Sequence, residues 1–139
     1  MKTTMKQLMV AAAVLALAAG AATAQTLKAE IPFSFTAGGK VMAPGSYDVR
    51  LKDVDNLVTL SNFEARQSAM LLPGGRSTPA KEWRAKGDPV LVFECGAGRC
   101  SLIRLWAGGG NMALSIPHHN PGREEQASLT LIPMTRAAD

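Results

Sequence analysis

Short segments with alternating apolar and polar residues, each bounded by glycine or proline, constrain the fold of this chain most strongly. In the clearest one, residues 47–52, three apolar side chains alternate with three charged ones. A period of two is typical of a β-strand with one buried and one solvated face. Turn signals recur at intervals of about 8 to 12 residues, a spacing typical of sandwiches and barrels.

These patterns predict an all-β fold, namely one antiparallel sandwich or small barrel of about seven to nine strands. Pro32 has no N–H to donate, so the strand of residues 31–35 is expected at a sheet edge or a bulge. We expect one domain over residues 25–139, with its core in residues 27–133 and a frayed tail in 134–139. Extended segments are predicted at 31–35, 47–52, 57–63, 65–72, 90–94, 101–106, 112–116 and 127–132.

The first 24 residues have the three parts of a signal peptide. Lys2 and Lys6 precede an uncharged apolar run over residues 8–22, and Ala22-Thr23-Ala24 is a small-x-small cleavage site. Cleavage after Ala24 leaves 115 residues, about the modal size of one domain. We therefore expect a periplasmic or secreted protein. The run has about fifteen strongly apolar positions, whereas a spanning helix needs about twenty, so we expect no membrane span after cleavage.

The charge of the mature part gives little information about partners. Without the signal segment, 13 basic side chains face 11 acidic ones, with no run of five or more basic residues. Nucleic-acid binding requires clustered Lys and Arg, so it is not expected. A protein, a glycan or another envelope component remains open as the partner.

Residues 90–106 predict a hairpin that carries the only two cysteines. If residues 96–99 form a four-residue connection, Cys95 lies opposite Cys100 and Leu91 lies opposite Arg104. Facing cysteines in an exported protein predict a structural disulfide. In that register Arg104 stands out on an apolar face, and we expect its stem to lie along Trp106 with its guanidinium in solvent.

No constellation of residues in the sequence predicts catalysis, a cofactor or a metal site. His118 and His119 are neighbours without a third ligand at a recognisable spacing, and Ser46 is expected to be an ordinary turn serine. The glycines at 38–39 and 108–110 lack the strand–loop–helix setting of phosphate-binding loops, and the latter predict a flexible loop. Carboxylates are spread singly, at Asp48, Asp53, Asp55, Glu64, Glu82, Asp88 and Glu94.

Two segments together resemble a group of small exported proteins common in acidobacteria. Residues 31–35 (IPFSF) followed by 43–49 (APGSYDV) are similar to the group's opening (V/I)PFxF…PAGxYxV pattern, and residues 90–106 are similar to its LVF…W hairpin. The proline of the first pattern is shifted by one position, and Cys95 and Cys100 replace an aromatic-flanked turn. The resemblance implies export and an all-β fold, and it carries over no functional residue.

The leading functional hypothesis is a non-enzymatic binding or structural module of the cell envelope or extracellular space. A second hypothesis is a carrier with a small apolar ligand inside a barrel, which requires an internal void of at least about 300 Å³. A third is a small exported hydrolase, which requires ionisable groups that converge in a cleft.

Overall fold

The computed structural model describes residues 25–52, 56–117 and 127–137 of the chain. They form an all-β fold with one short helix, as the alternation predicts. Eleven strands are present in these ranges, more than the seven to nine predicted, because four strands have only three residues each. The elements are β1 Gln25–Ile31, β2 Phe35–Ala37, β3 Lys40–Met42, β4 Gly45–Lys52, β5 Leu57–Asn62, β6 Gln67–Leu71, β7 Gly75–Ser77, α1 Lys81–Lys86, β8 Val90–Gly96, β9 Arg99–Trp106, β10 Ala113–Ser115 and β11 Ser128–Arg136.

One continuous sheet curls until it is nearly closed into a barrel. Its strand order is β3-β2-β9-β8-β11-β1-β4-β5-β6, with β10 joining β9 to β7. All pairs are antiparallel except the short contact between β2 and β9. The two ends of this order, β3 and β6, are not joined by a ladder of backbone hydrogen bonds.

The interior of the curled sheet is filled with side chains. Aromatic rings occupy its centre, where Phe35 packs edge-to-face against both Tyr47 and Phe93 at centroid distances of 5.3 and 5.2 Å. Such pairs are favourable beyond the area they bury. The buried residues are Leu27, Ala29, Ile31, Phe35, Ala37, Met42, Tyr47, Val49, Val58, Leu60, Ala69, Leu71, Leu91, Phe93, Leu102, Leu105, Ala107, Ile116 and Met134.

A second, smaller apolar cluster lies on the outer face of β8–β10 and is covered by α1. Trp106 is its centre, and Trp83 of α1 packs against it with ring centroids 6.5 Å apart. The helix begins after Ala80, whose side chain provides no cap, and it ends at Gly87 in the left-handed conformation typical of C-terminal glycines. Trp83 therefore supplies the apolar contact that attaches this short helix to the sheet.

The β8–β9 hairpin confirms the facing cysteines and the predicted pairing of Phe93 with Leu102, but not the four-residue connection or the register beyond Phe93. Its loop has two residues, Ala97 and Gly98, both with positive φ as a type I′ turn requires. A β-bulge in β9 then shifts the register, so Leu91 lies opposite Leu105 and not opposite Arg104. The bulge keeps Leu102 and Leu105 inside and leaves Arg104 exposed on the outer face. The apolar misfit predicted for Arg104 is thereby avoided.

Two predicted segment boundaries are wrong. Residues 31–35 are not one strand, because β1 ends at Ile31, directly before Pro32, and β2 begins at Phe35 and pairs with β9 at Thr36. Strand β11 continues past Pro133 to Arg136, and Met134 is buried, so the predicted frayed tail begins too early. Residues beyond Pro133 stay in β11 because β1 offers them a partner, with Leu27 opposite Arg136.

Candidate binding surfaces

The line where β3 and β6 meet, which we call the seam, is bridged by side chains. The Lys40 ammonium donates to the carbonyl oxygen of Ser68 at 2.9 Å, and the Ala43 N–H donates to Gln67 Oε1 at 2.8 Å. In an antiparallel strand the N–H and C=O of one residue point to the same side. Since the Ser68 carbonyl points to the seam, the backbone groups of Ser68 and Met70 face away from β5.

Apolar side chains remain exposed on the outer face of both strands at the seam. Val41 of β3 is 69% exposed, Met70 of β6 is 71% exposed, and Leu72 just beyond β6 is 67% exposed. Phe63, in the turn between β5 and β6, is 70% exposed. An exposed apolar group beside two strand edges that share no ladder is typical of a surface used for association.

A small cavity of about 120 Å³ opens at one end of the barrel, between the end of β4, the start of β5 and the β7–β10 pair. Leu105 and Leu114 contribute apolar lining, whereas Lys52 and Arg76 contribute positive charge. The Arg76 guanidinium donates to Asn56 Oδ1 at 3.5 Å. The cavity is well below the range of about 300–1,000 Å³ typical of sites for drug-sized ligands.

The residues singled out in the sequence do not assemble into a catalytic site within the described ranges. Cys95 and Cys100 form the predicted disulfide, with an S–S distance of 2.12 Å. Ser46 is not in a turn as predicted but in β4, where its hydroxyl donates to a carboxylate oxygen of Glu30 on β1. His118 and His119 lie outside the described residues, as do Asp53 and Asp55 and the predicted signal peptide.

Within residues 25–52, 56–117 and 127–137, no group of three or more His, Cys, Asp or Glu side chains is arranged to hold a metal ion. Within the same ranges, no helix has the length and apolar character needed to cross a membrane. Two hydrogen bonds lie in the glycine loop of residues 108–111: Trp106 Nε1 donates to the Asn111 carbonyl, and Asn111 Nδ2 donates to the Gly108 carbonyl, each at 2.8 Å.

No family model matches the chain, and no curated protein or solved structure is significantly similar to it. The seam and the cavity are therefore the features of the molecule that bear on its function. The sequence pattern located neither surface. A signal for the seam was present, because Met70, Leu71 and Leu72 are three consecutive apolar residues in an extended segment, which places apolar side chains on both faces. The cavity has no such signal, since its lining residues come from distant segments.

Proposed function

We propose that this protein is an exported, non-enzymatic binding module that docks a protein partner on the seam. The observation behind the proposal is the exposure of Val41, Met70 and Leu72 at the seam. The two strand edges that meet there are joined by side-chain hydrogen bonds and not by a backbone ladder. The partner covers these aliphatic side chains and withdraws them from water. Burial of such groups is the main favourable contribution to protein association.

A protein is favoured over a glycan because of the chemistry of the seam. Its exposed side chains are mainly aliphatic, and Met is a residue enriched in protein interfaces because its flexible thioether adapts to a partner. Phe63 is the only aromatic side chain among the large exposed apolar residues of the described ranges. A stacking platform for sugar rings would need more exposed aromatic surface.

The packed interior makes the carrier hypothesis the weaker alternative. Phe35, Tyr47 and Phe93 occupy the centre of the barrel, which leaves no room there for a ligand of ordinary size. The cavity of about 120 Å³ lies at the barrel end and is smaller than the void that the carrier hypothesis requires. A hydrolase has even less support, because the Ser46–Glu30 contact is exposed on the strands and neither residue lines the cavity.

Export is supported by the disulfide, because such bonds persist mainly in oxidising compartments. The signal-peptide pattern of residues 1–24 points the same way. Expression in a bacterium with an intact export pathway, followed by N-terminal sequencing of the exported form, is expected to give Gln25 as the first residue. Full-length protein retained in the cytoplasm would contradict export.

Photo-crosslinking in the native host tests the docking surface. A photoreactive phenylalanine analogue replaces Met70 at the seam or, as the matched control, Leu129, which is 61% exposed on β11. We expect one discrete protein adduct from position 70 and none of that mass from position 129. The adduct is expected to disappear when Val41→Ser and Leu72→Ser are introduced together, because apolar area at the seam is lost.

The same experiment can contradict the proposal. An adduct that forms from position 129 and not from position 70 would place the partner on β11. An adduct from position 70 that survives the Val41→Ser/Leu72→Ser change would show that the seam's apolar side chains do not hold the partner. Circular dichroism of each variant checks that the fold is intact, which is expected because all four positions are exposed.

A further inference from the structure

The methionines of this chain differ sharply in exposure. Three of the seven lie in residues 1–24, outside the described ranges. Of the other four, Met42 and Met134 are 0% and 2% exposed, whereas Met112 is 46% exposed and Met70 at the seam is 71% exposed. A soluble oxidant reaches a thioether only where solvent reaches it, so Met70 is the most accessible methionine that the structure describes.

From this difference we propose that Met70 is a modification site, at which a hydroperoxide forms methionine sulfoxide and thereby releases the partner from the seam. In the reaction with hydrogen peroxide the O–O bond breaks and an S–O bond forms. The sulfur is oxidised by two electrons, and the peroxide is reduced to water. The effect on the partner rests on the proposed docking function, whereas the modification itself requires no partner.

No free thiol competes with Met70 for the oxidant in the described part of the chain. Thiolates are the other side-chain groups that peroxide oxidises readily. The chain has two cysteines, and Cys95 and Cys100 are joined in the disulfide. Methionine is therefore the sulfur group of the folded, disulfide-bonded protein that reacts.

The position of Met70 in β6 confines the effect of oxidation to the surface. Its neighbours Ala69 and Leu71 are buried in the interior, so the Met70 side chain lies on the outer face, where Thr59 of β5 is its cross-strand neighbour. An oxygen added to this sulfur projects into water and displaces nothing in the core. The barrel is therefore expected to stay folded while the chemistry of the seam changes.

A sulfoxide at position 70 opposes docking because it is polar. A partner that covers the thioether buries an apolar, adaptable group. A partner that covers the sulfoxide must also take its oxygen out of water, which is unfavourable without a new hydrogen bond. Docking and oxidation therefore exclude each other, since a seated partner also shields the sulfur from the oxidant.

Peptide mass spectrometry of the mature, disulfide-bonded protein after brief treatment with hydrogen peroxide tests the site. We expect the sulfoxide to form first at Met70, more slowly at Met112, and at least about tenfold more slowly at Met42 and Met134 than at Met70. Circular dichroism is expected to be unchanged after Met70 is oxidised. Equal rates at Met70 and at the two buried methionines, or a Met70 that resists oxidation, would overturn the proposal.

Crosslinking tests the release. A photoreactive phenylalanine analogue at Val41, which is 69% exposed, leaves Met70 in place. The purified protein is treated with peroxide, freed of it with catalase, and irradiated in an envelope extract of the host. We expect the adduct yield to fall at least about tenfold and to recover when the two methionine sulfoxide reductases, one for each epimer, reduce the protein.

Two variants assign the loss to Met70. Met70→Leu keeps an apolar side chain of similar size, so its adduct yield is expected to stay within about twofold of the untreated protein after peroxide. The matched control Met112→Leu keeps Met70 and is expected to lose the adduct as the wild-type protein does.

The outcomes separate the two proposals. An adduct that survives complete oxidation of Met70, or one that is lost equally in Met70→Leu, overturns the switch and leaves docking intact. If no adduct forms even with untreated protein, docking fails and the release fails with it. The mass spectra then still decide whether Met70 is the oxidation site.

Discussion

Gly45 and Asn62 approach so closely that a Cβ on Gly45 would lie 2.8 Å from Asn62 Nδ2. Asn62 is buried, and its Oδ1 accepts the Ala65 N–H at 3.1 Å, so this side chain is held in place. Gly45 also has a φ of +148°, which L-residues with a side chain rarely adopt. The start of β4 therefore requires glycine for two independent reasons.

We expect Gly45→Ala to lower the free energy of unfolding by at least about 3 kcal/mol, because backbone strain and a steric clash act together. Gly39→Ala is the matched control, since Gly39 also has a positive φ, +79°, but nothing lies within 4 Å of a Cβ there. That change is expected to cost about 1 kcal/mol. Chemical denaturation of both variants measures the difference, and equal losses would show that the contact with Asn62 is not tight.

The β-bulge of β9 predicts opposite results for two single-residue deletions in the β8–β9 hairpin. Removal of Ile103, the unpaired residue of the bulge, leaves Leu91 opposite Leu105 and keeps every other side chain on its present face. The expected cost is about 2–3 kcal/mol, from the loss of its packing and of the carbonyl that accepts the Ile116 N–H at 2.8 Å.

Removal of Val92 is expected to abolish cooperative folding. A deletion in β8 moves Leu91 from the interior to the outer face, because facing alternates at every residue. Thermal unfolding followed by circular dichroism distinguishes the two deletions. Loss of folding in both would mean that the bulge is itself essential, and tolerance of both would contradict the register.

The Cys95–Cys100 disulfide closes a short loop and is expected to contribute only about 2 kcal/mol. The Cys95→Ser/Cys100→Ser protein should therefore fold to the same structure with a modestly lower melting temperature. Reductant is expected to lower the melting temperature of the wild-type protein to a similar value and to leave the double variant unchanged. Two reactive thiols in the denatured, non-reduced wild-type protein would contradict the disulfide.

The contact between Trp83 and Trp106 makes tryptophan fluorescence a probe of helix α1. The chain has two tryptophans, so in Trp83→Phe or Trp83→Ala the emission comes from Trp106 alone. In Trp83→Phe an aromatic ring still covers Trp106, and we expect blue-shifted emission with little acrylamide quenching. In Trp83→Ala the cover is lost, so emission is expected to shift to longer wavelength and quenching to rise. Identical spectra would show that α1 does not cover Trp106.

The fold class can be predicted from the sequence, because the alternation of apolar and polar residues indicates which face of each strand is buried. The disulfide can also be predicted from the sequence, since Cys95 and Cys100 flank a short turn and only local geometry decides their pairing. The bulge could not be predicted, because an extra residue leaves no mark on composition. The alternation around Arg104 conflicts with a regular ladder, and that conflict was the single local indication of the bulge.

The seam and the cavity could not be predicted from the sequence, because both form only when strands that are distant in the chain come together in the curled sheet. Residues 41 and 70 become neighbouring surface only after the sheet curls, and the cavity unites the end of β4 and the start of β5 with β7, β9 and β10. The pattern of a single strand states which side chains face outward. It does not state which outward faces meet, or which strand edges remain without a ladder.

Native-state hydrogen exchange along β6 tests most directly whether the edge of β6 at the seam lacks a backbone hydrogen-bond ladder and is available to a partner. The Ala69 and Leu71 amides face β5, whereas the Ser68 and Met70 amides face the seam. We predict alternating protection, with Ala69 and Leu71 exchanging at least about tenfold more slowly than Ser68 and Met70. Uniformly strong protection along β6 would contradict the account, because it would mean that a backbone ladder already closes the barrel at the seam.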